Sequence, residues 1–94
     1  MRSGLRFRLR LYVAGDTRNS AQAIANLDAL RASNPAANCE VEVIDVTRHP
    51  RRALDDGVLM TPMLVRFAPP PVRRIVGTLS EARTVLEVLG VGPA

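Results

Sequence analysis

The heptapeptide Thr61-Pro62-Met63-Leu64-Val65-Arg66-Phe67 constrains the fold more than any other part of this chain. A residue before proline is pushed out of the α region, so no helix runs through Thr61. The run behind it is short and apolar, as a strand requires. Proline at the first residue of a strand is tolerated because its missing donor falls outside the ladder. The junction divides the chain in two. Residues ahead of Pro62 read as a βαβ unit with a short helix, and residues behind it as a β-hairpin followed by a helix.

Residues 5–14 alternate, with Leu5, Phe7, Leu9, Leu11 and Val13 on one face and Arg6, Arg8, Arg10 and Tyr12 on the other. That is the period of a strand. Gly15-Asp16-Thr17-Arg18 breaks it. Asn19 or Ser20 is placed to cap the next helix, and Gln22 completes a capping box if Asn19 is the cap. Ala23, Ile24, Leu27 and Leu30 form a stripe at helical spacing that ends before Asn34-Pro35. Residues 40–46 read as an interior strand, which makes the first three elements a right-handed parallel crossover. Pro50 suits the first turn of a short helix, with Thr47 or His49 near its cap and Gly57 as its stop.

Beyond the junction, residues 63–68 form the third strand, Pro69-Pro70-Pro71 the connection and residues 72–77 the fourth strand. Ser80 is placed to cap the last helix, in which Ala82, Val85, Leu86 and Leu89 share one face before Gly90 ends it. The predicted class is α/β, with the order βαβαββα of the thioredoxin-like fold. In that fold the Thr61-Pro62 position holds a cis proline at the functional end of the sheet.

Composition narrows the chemistry. Ninety-four residues are read as one domain, 1–94. No run approaches the ~20 apolar residues of a spanning helix, and no apolar signal-peptide core opens the chain, so a cytoplasmic location is expected. A thioredoxin-like oxidoreductase carries paired thiols where the first strand meets the first helix. Here that position reads Gly15-Asp16-Thr17-Arg18-Asn19-Ser20, and the one cysteine, Cys39, lies elsewhere. Thiol–disulfide exchange at this site is excluded. His49 is the sole histidine, and the adjacent Asp55 and Asp56 point to different faces of a short helix, so they do not converge with Asp45 on a metal. Neither a phosphate-cradling glycine loop nor a nucleophile elbow is present. The reading therefore assigns no catalytic residue, no metal ligand and no cofactor.

The net charge is +4 and all thirteen basic residues are arginine. Arg6, Arg8 and Arg10 with Arg73-Arg74 raise nucleic-acid binding. Nine interspersed acidic residues and the scarcity of aromatic stacking platforms argue against it. Arg10 is expected to pair inside the fold with the short helix that bears Asp55 and Asp56.

Four segments in order resemble the circadian clock protein KaiB family. They are Leu9-Arg10-Leu11-Tyr12-Val13-Ala14-Gly15-Asp16-Thr17 with Asn19-Ser20, then Val43-Ile44-Asp45-Val46 with Pro50, then Leu59-Met60-Thr61-Pro62-Met63-Leu64. The fourth is Pro69-Pro70-Pro71-Val72-Arg73-Arg74-Ile75-Val76-Gly77 with Leu79-Ser80. The resemblance spans residues 9–86. It implies a non-enzymatic adaptor that binds a KaiC-type hexameric ATPase in a thioredoxin-like monomeric state. Such a protein can also sequester a KaiA-like protein or compete with a SasA-type sensor kinase.

The family is metamorphic, its other state being a tetramer with its own fold. The conformational candidates are Pro62, the run Pro69, Pro70 and Pro71, read either as a stiff hairpin connection or as a slow conformational gate, and, from the resemblance, Val88 and Gly90. Typical members carry Gly at the first of the last two positions and Asp at the second. Replacing an interior helix glycine gains about 0.5–1 kcal/mol of propensity, so the thioredoxin-like state is the expected resting fold. Arg66, Arg73 and Arg74 match basic family positions and are the candidate contacts to an acidic partner surface, while Glu42 stands where typical members carry Lys. The second reading is a redox-inactive, thioredoxin-like sensor module of a histidine kinase system, and the third a basic nucleic-acid binder.

Overall fold

The computed structural model describes residues 6–35 and 37–90. Leu5, expected on the inward face of the first strand, and Val91 to Ala94 lie outside the described residues. The elements are β1 (Arg6–Val13), α1 (Arg18–Ser33), β2 (Asn38–Asp45), α2 (Pro50–Asp55), β3 (Met63–Ala68), β4 (Arg73–Val76) and α3 (Ala82–Leu89). They form one four-stranded sheet in the order β2-β1-β3-β4. β1 runs parallel to β2 and antiparallel to β3, and β3 pairs antiparallel with β4. The Thr61–Pro62 bond is cis, as are Ala68–Pro69 and Pro70–Pro71. This is the thioredoxin-like arrangement expected from the element order.

Each face of the sheet has its own core, as the alternation of β1 requires. Phe7, Leu9, Leu11 and Val13 pack with Ala23 and Leu27 of α1, Leu64 of β3, and Val85 and Leu89 of α3. Tyr12 turns the other way and packs with Ile44, Ala53, Val58, Met63 and Val65 beneath α2. Because α2 has only six residues, it covers part of that second face. Arg6, Arg8 and Glu40 on the same face remain exposed.

Several local expectations are corrected. β2 is an edge strand rather than an interior one, because β3 returns on the opposite side of β1. Helix α1 begins earlier than expected and is capped by Thr17, whose extended backbone (φ −70°, ψ 154°) lets its side chain accept from the Ser20 amide. Ser20 is instead buried, its hydroxyl oxygen accepting from the Ala14 amide and the Thr17 hydroxyl. Ser20, Asn19 and Gln22 are therefore not the cap. The N-cap of α3 is Glu81 rather than Ser80, without a side-chain capping bond. The fourth strand is shorter than residues 72–77, spanning Arg73–Val76.

Arg66 is the largest departure. Its alternation on β3 places it with Leu64 on the α1/α3 face, and only 6% of its surface is exposed. Nη1 donates to the Leu89 carbonyl at 2.6 Å and Nη2 to the Pro71 carbonyl at 2.7 Å. The guanidinium thus satisfies the end of α3, where carbonyls lack helical partners and a positive charge is favoured. Gly90 follows in the left-handed conformation (φ 78°), and a Cβ there would lie 3.0 Å from Arg66 Nη1. Both the backbone and the packed arginine demand glycine at this position. A residue expected to meet a partner is instead built into the core.

Replacing Arg66 with Met keeps the length of the side chain and removes both donors. Two carbonyls then lose their partners, and the expected loss is about 1–3 kcal/mol of unfolding free energy. Denaturant titration checks this, with Arg66→Lys recovering part of the loss.

Candidate functional site

Helix α2 and the loop behind it are tied to three strands of the sheet by side-chain hydrogen bonds. Pro50 stands at its first turn and Ala53 packs on the sheet, a side chain small enough to let so short a helix lie close. Asp56 is the C-cap residue and Gly57 turns the chain with φ 70°. From below, the Tyr12 hydroxyl donates to Asp56 Oδ2, and Arg10 Nη1 donates to the same oxygen at 2.8 Å. Arg74 Nη2 donates to the Asp56 carbonyl at 2.9 Å. On the β2 side Arg52 meets both carboxylate oxygens of Glu42 at 2.8 Å, the two-pronged geometry a guanidinium favours.

The rest of this face follows the strand register. Arg10 lies over the Phe67 ring at 4.0 Å from its centroid and Arg8 at 5.1 Å. Arg6 and Arg8 reach Glu40 at 3.4 and 3.2 Å, exposed pairs that add little stability. At the end of β2, Asp45 Oδ1 accepts from the amides of Gly15 and Thr47 and from the Thr47 hydroxyl. This carboxylate stitches the β1–α1 turn to the β2–α2 turn, at the level where thiols would sit in an oxidoreductase.

These contacts set the ionisation of the groups. Burial raises the Asp56 carboxyl, but the Tyr12 hydroxyl and Arg10 outweigh it and hold the group below the usual aspartate range. Burial, joined by Asp56, pushes Tyr12 up to about 12. Hydrogen bonds from Thr47 lower Asp45, and the hydrogen bond from Arg52 lowers Glu42. Among the described residues, no group of three or more His, Cys, Asp or Glu side chains is arranged to hold a metal ion.

The outward side of the same region carries large apolar side chains. Leu54 on α2 is 71% exposed, and Leu59 and Met60 in the loop before Pro62 are 87% and 59% exposed. Arg48, His49 and Arg51 are exposed beside them in sequence. Of the candidate contact residues, Arg73 and Arg74 are exposed on β4, while Arg66 is buried behind the sheet. Pro62 is buried at the entry to β3, and Pro69 to Pro71 lie in the β3–β4 connection. Val88 is inside α3 and Gly90 is its C-cap. The pairing of Arg10 with the α2 region was legible from the alternation of β1. The Glu42–Arg52 and Arg74–Asp56 ties were not, because they depend on register across the sheet. The exposed Leu59-Met60 pair was readable as two large apolar residues ahead of a proline.

The profile of the KaiB domain matches residues 10–91. The chain belongs to the KaiB family. It is 39% identical over 85 residues to circadian clock protein KaiB3 of Synechocystis, covering 90% of this chain and 83% of that one. It is 44% identical over 78 residues to the circadian clock oscillator protein KaiB of Prochlorococcus marinus, covering 83% and 67% of the two chains.

Among solved structures, the N-terminal domain of Synechococcus elongatus SasA superposes with a TM-score of 0.76 at 19% identity, over 96% of this chain and 89% of that one. Mitochondrial thioredoxin 3 of Saccharomyces cerevisiae gives 0.73 at 15% identity, over 92% and 78%. At such identities the likeness is one of fold. No helix of the described residues is long and apolar enough to cross a membrane.

The depressed Asp56 carboxyl has a definite sign. Its stabilisation is complete above the ordinary carboxyl range and is lost as the pH falls through that range towards its lower folded value. Stability should therefore fall below about pH 4. Asp56→Asn should lower stability at pH 7 and flatten this acid limb, as measured by urea unfolding across pH 3–7.

Proposed function

We propose that this protein is a non-enzymatic, single-domain KaiB-like adaptor. In this reading it binds a KaiC-type hexameric ATPase and alters the activity of that ATPase or its access to other partners. The observation that carries the reading is the family match over residues 10–91, joined to a thioredoxin-like fold with no thiol at its β1–α1 turn. Recognition would run through surface contacts alone. The docking surface would be α2 and the loop at 57–60, where Leu54, Leu59 and Met60 are exposed, with exposed Arg48 and Arg51 close to Leu54 in sequence. Exposed apolar side chains that lie together mark interaction sites, and these three residues would form such a patch. Arg73 on β4 would add an electrostatic contact to carboxylates of the partner.

The same reading takes the thioredoxin-like arrangement as the resting, monomeric state. The continuous helix through Val88 and the Arg66–Leu89 bond at the end of α3 support it. Cytoplasmic partners, including a KaiA-like protein or a competing SasA-type kinase, follow from the family and belong to the proposal.

A second reading has an observation of its own. The superposition on the SasA N-terminal domain over 96% of this chain favours a redox-inactive sensor module acting with a histidine kinase.

Size-exclusion chromatography with light scattering, with the host's KaiC-type ATPase and nucleotide, separates the two. A monomer that co-elutes with the hexamer supports the adaptor. Failure to bind in every nucleotide and phosphorylation state removes it in favour of the kinase module. Replacing Leu59 and Met60 together with Glu should leave the exposed loop folded and weaken complex formation by roughly tenfold or more, as a charged pair replaces buried apolar contact.

A further inference from the structure

Arg74 has the outward signs of a partner contact, being exposed and basic beside Arg73 on an edge strand. Its guanidinium is nevertheless engaged inside the chain. Nη2 donates to the main-chain carbonyl of Asp56 at 2.9 Å, and it would lie 3.9 Å from a Cβ placed on Gly57, so the head group rests over the turn that ends α2. The carboxylate of the same Asp56 accepts from Tyr12 and Arg10 of β1. One residue therefore gathers side chains from strands on both sides of β3.

Such ties matter here because α2 is six residues long and buries only Ala53. A helix of this length has little stability of its own. Its place, and that of Leu59 and Met60 behind it, depends on what holds its C-terminal end. Val58 supplies an apolar anchor on one side of the turn, and the Asp56 bonds supply the polar ones.

We propose that Asp56, Tyr12 and Arg74 are positioning residues that hold α2 and the loop at 57–60 ready for docking, and that Arg74 acts on partner affinity through Asp56 rather than by touching the partner. The inference rests on the reading of Leu54, Leu59 and Met60 as the docking surface. A charge that touches the partner at a rim governs the association rate and its salt dependence. A residue that pre-orders the surface instead changes the fraction of molecules competent to bind, and leaves the charge complementarity as it was.

The test uses the full chain and two readouts. Hydrogen exchange on the free protein should show amides of residues 50–60 exchanging about five- to tenfold faster in Arg74→Ala and in Tyr12→Phe, the effect of losing one internal hydrogen bond, with β1 and β3 unchanged. Arg74→Lys, which keeps a cationic donor group for the Asp56 carbonyl, should restore most of the protection. Binding to the KaiC-type ATPase, measured at several salt concentrations, should weaken by a similar factor in Arg74→Ala with an unchanged salt slope. Arg73→Ala should flatten that slope.

Unchanged exchange at 50–60 in Arg74→Ala overturns the inference, as does a loss of affinity accompanied by a flattened salt slope. If the wild-type chain does not bind the ATPase, the docking reading falls and the affinity claim falls with it. The exchange data then decide by themselves whether Arg74 holds α2.

Discussion

Everything in this fold leans on β1, which pairs with β2 on one side and β3 on the other and commits side chains to both cores. Leu9 and Leu11 are closed over by α1 and α3, and Tyr12 by α2. A strand in this position cannot slip by one residue, since the slip would exchange leucines for arginines on the α1/α3 face. The register of β1 therefore sets where Arg10 and Tyr12 emerge under α2. It also sets which residues of β2, β3 and β4 stand beside them.

The helices differ in what holds them. α1 is long and properly capped, whereas α2 and α3 are short and lack side-chain caps at their N-termini. Both are secured at their C-terminal ends by arginines from the sheet, Arg66 reaching Leu89 and Arg74 reaching Asp56. The exclusive use of arginine suits these tasks. Arg66 serves two carbonyls at once, Arg52 grips both oxygens of Glu42, and Arg10 stacks on Phe67 while bonding Asp56. A single ammonium has no planar fork with which to do the same. Three of the basic residues that look like an interaction surface in the sequence, Arg10, Arg66 and Arg74, are thus part of the internal scaffold.

The junction that in thioredoxins carries paired thiols is occupied here by hydroxyls and a carboxylate that bind the backbone. Thr17 caps α1, Ser20 is buried against Ala14, and Asp45 links two turns. The neighbouring chain from Leu54 to Met60 retains exposed apolar side chains. This end of the sheet combines a hydrogen-bonded polar foundation with large apolar side chains exposed on its outer surface.

Local rules were enough for the order of elements, because alternation, helical spacing, Thr61-Pro62 and Gly90 act within a few residues of chain. They placed β1, β3 and the inward stripe of α1, and they paired Arg10 with the α2 region. Caps were less legible: Thr17, Asn19, Ser20 and Ser80 are all chemically able to cap, and only the backbone angles at each position select among them. The edge position of β2, the burial of Arg66 and the convergence of Tyr12 and Arg74 with Arg10 on Asp56 were decided by the tertiary structure alone. Residues of one strand do not specify which strand will lie beside it. An arginine on β3 becomes a core residue or a surface one only when α3 closes over it. Periodicity is a property of the chain, while the partner of each charged group is a property of strand order and register.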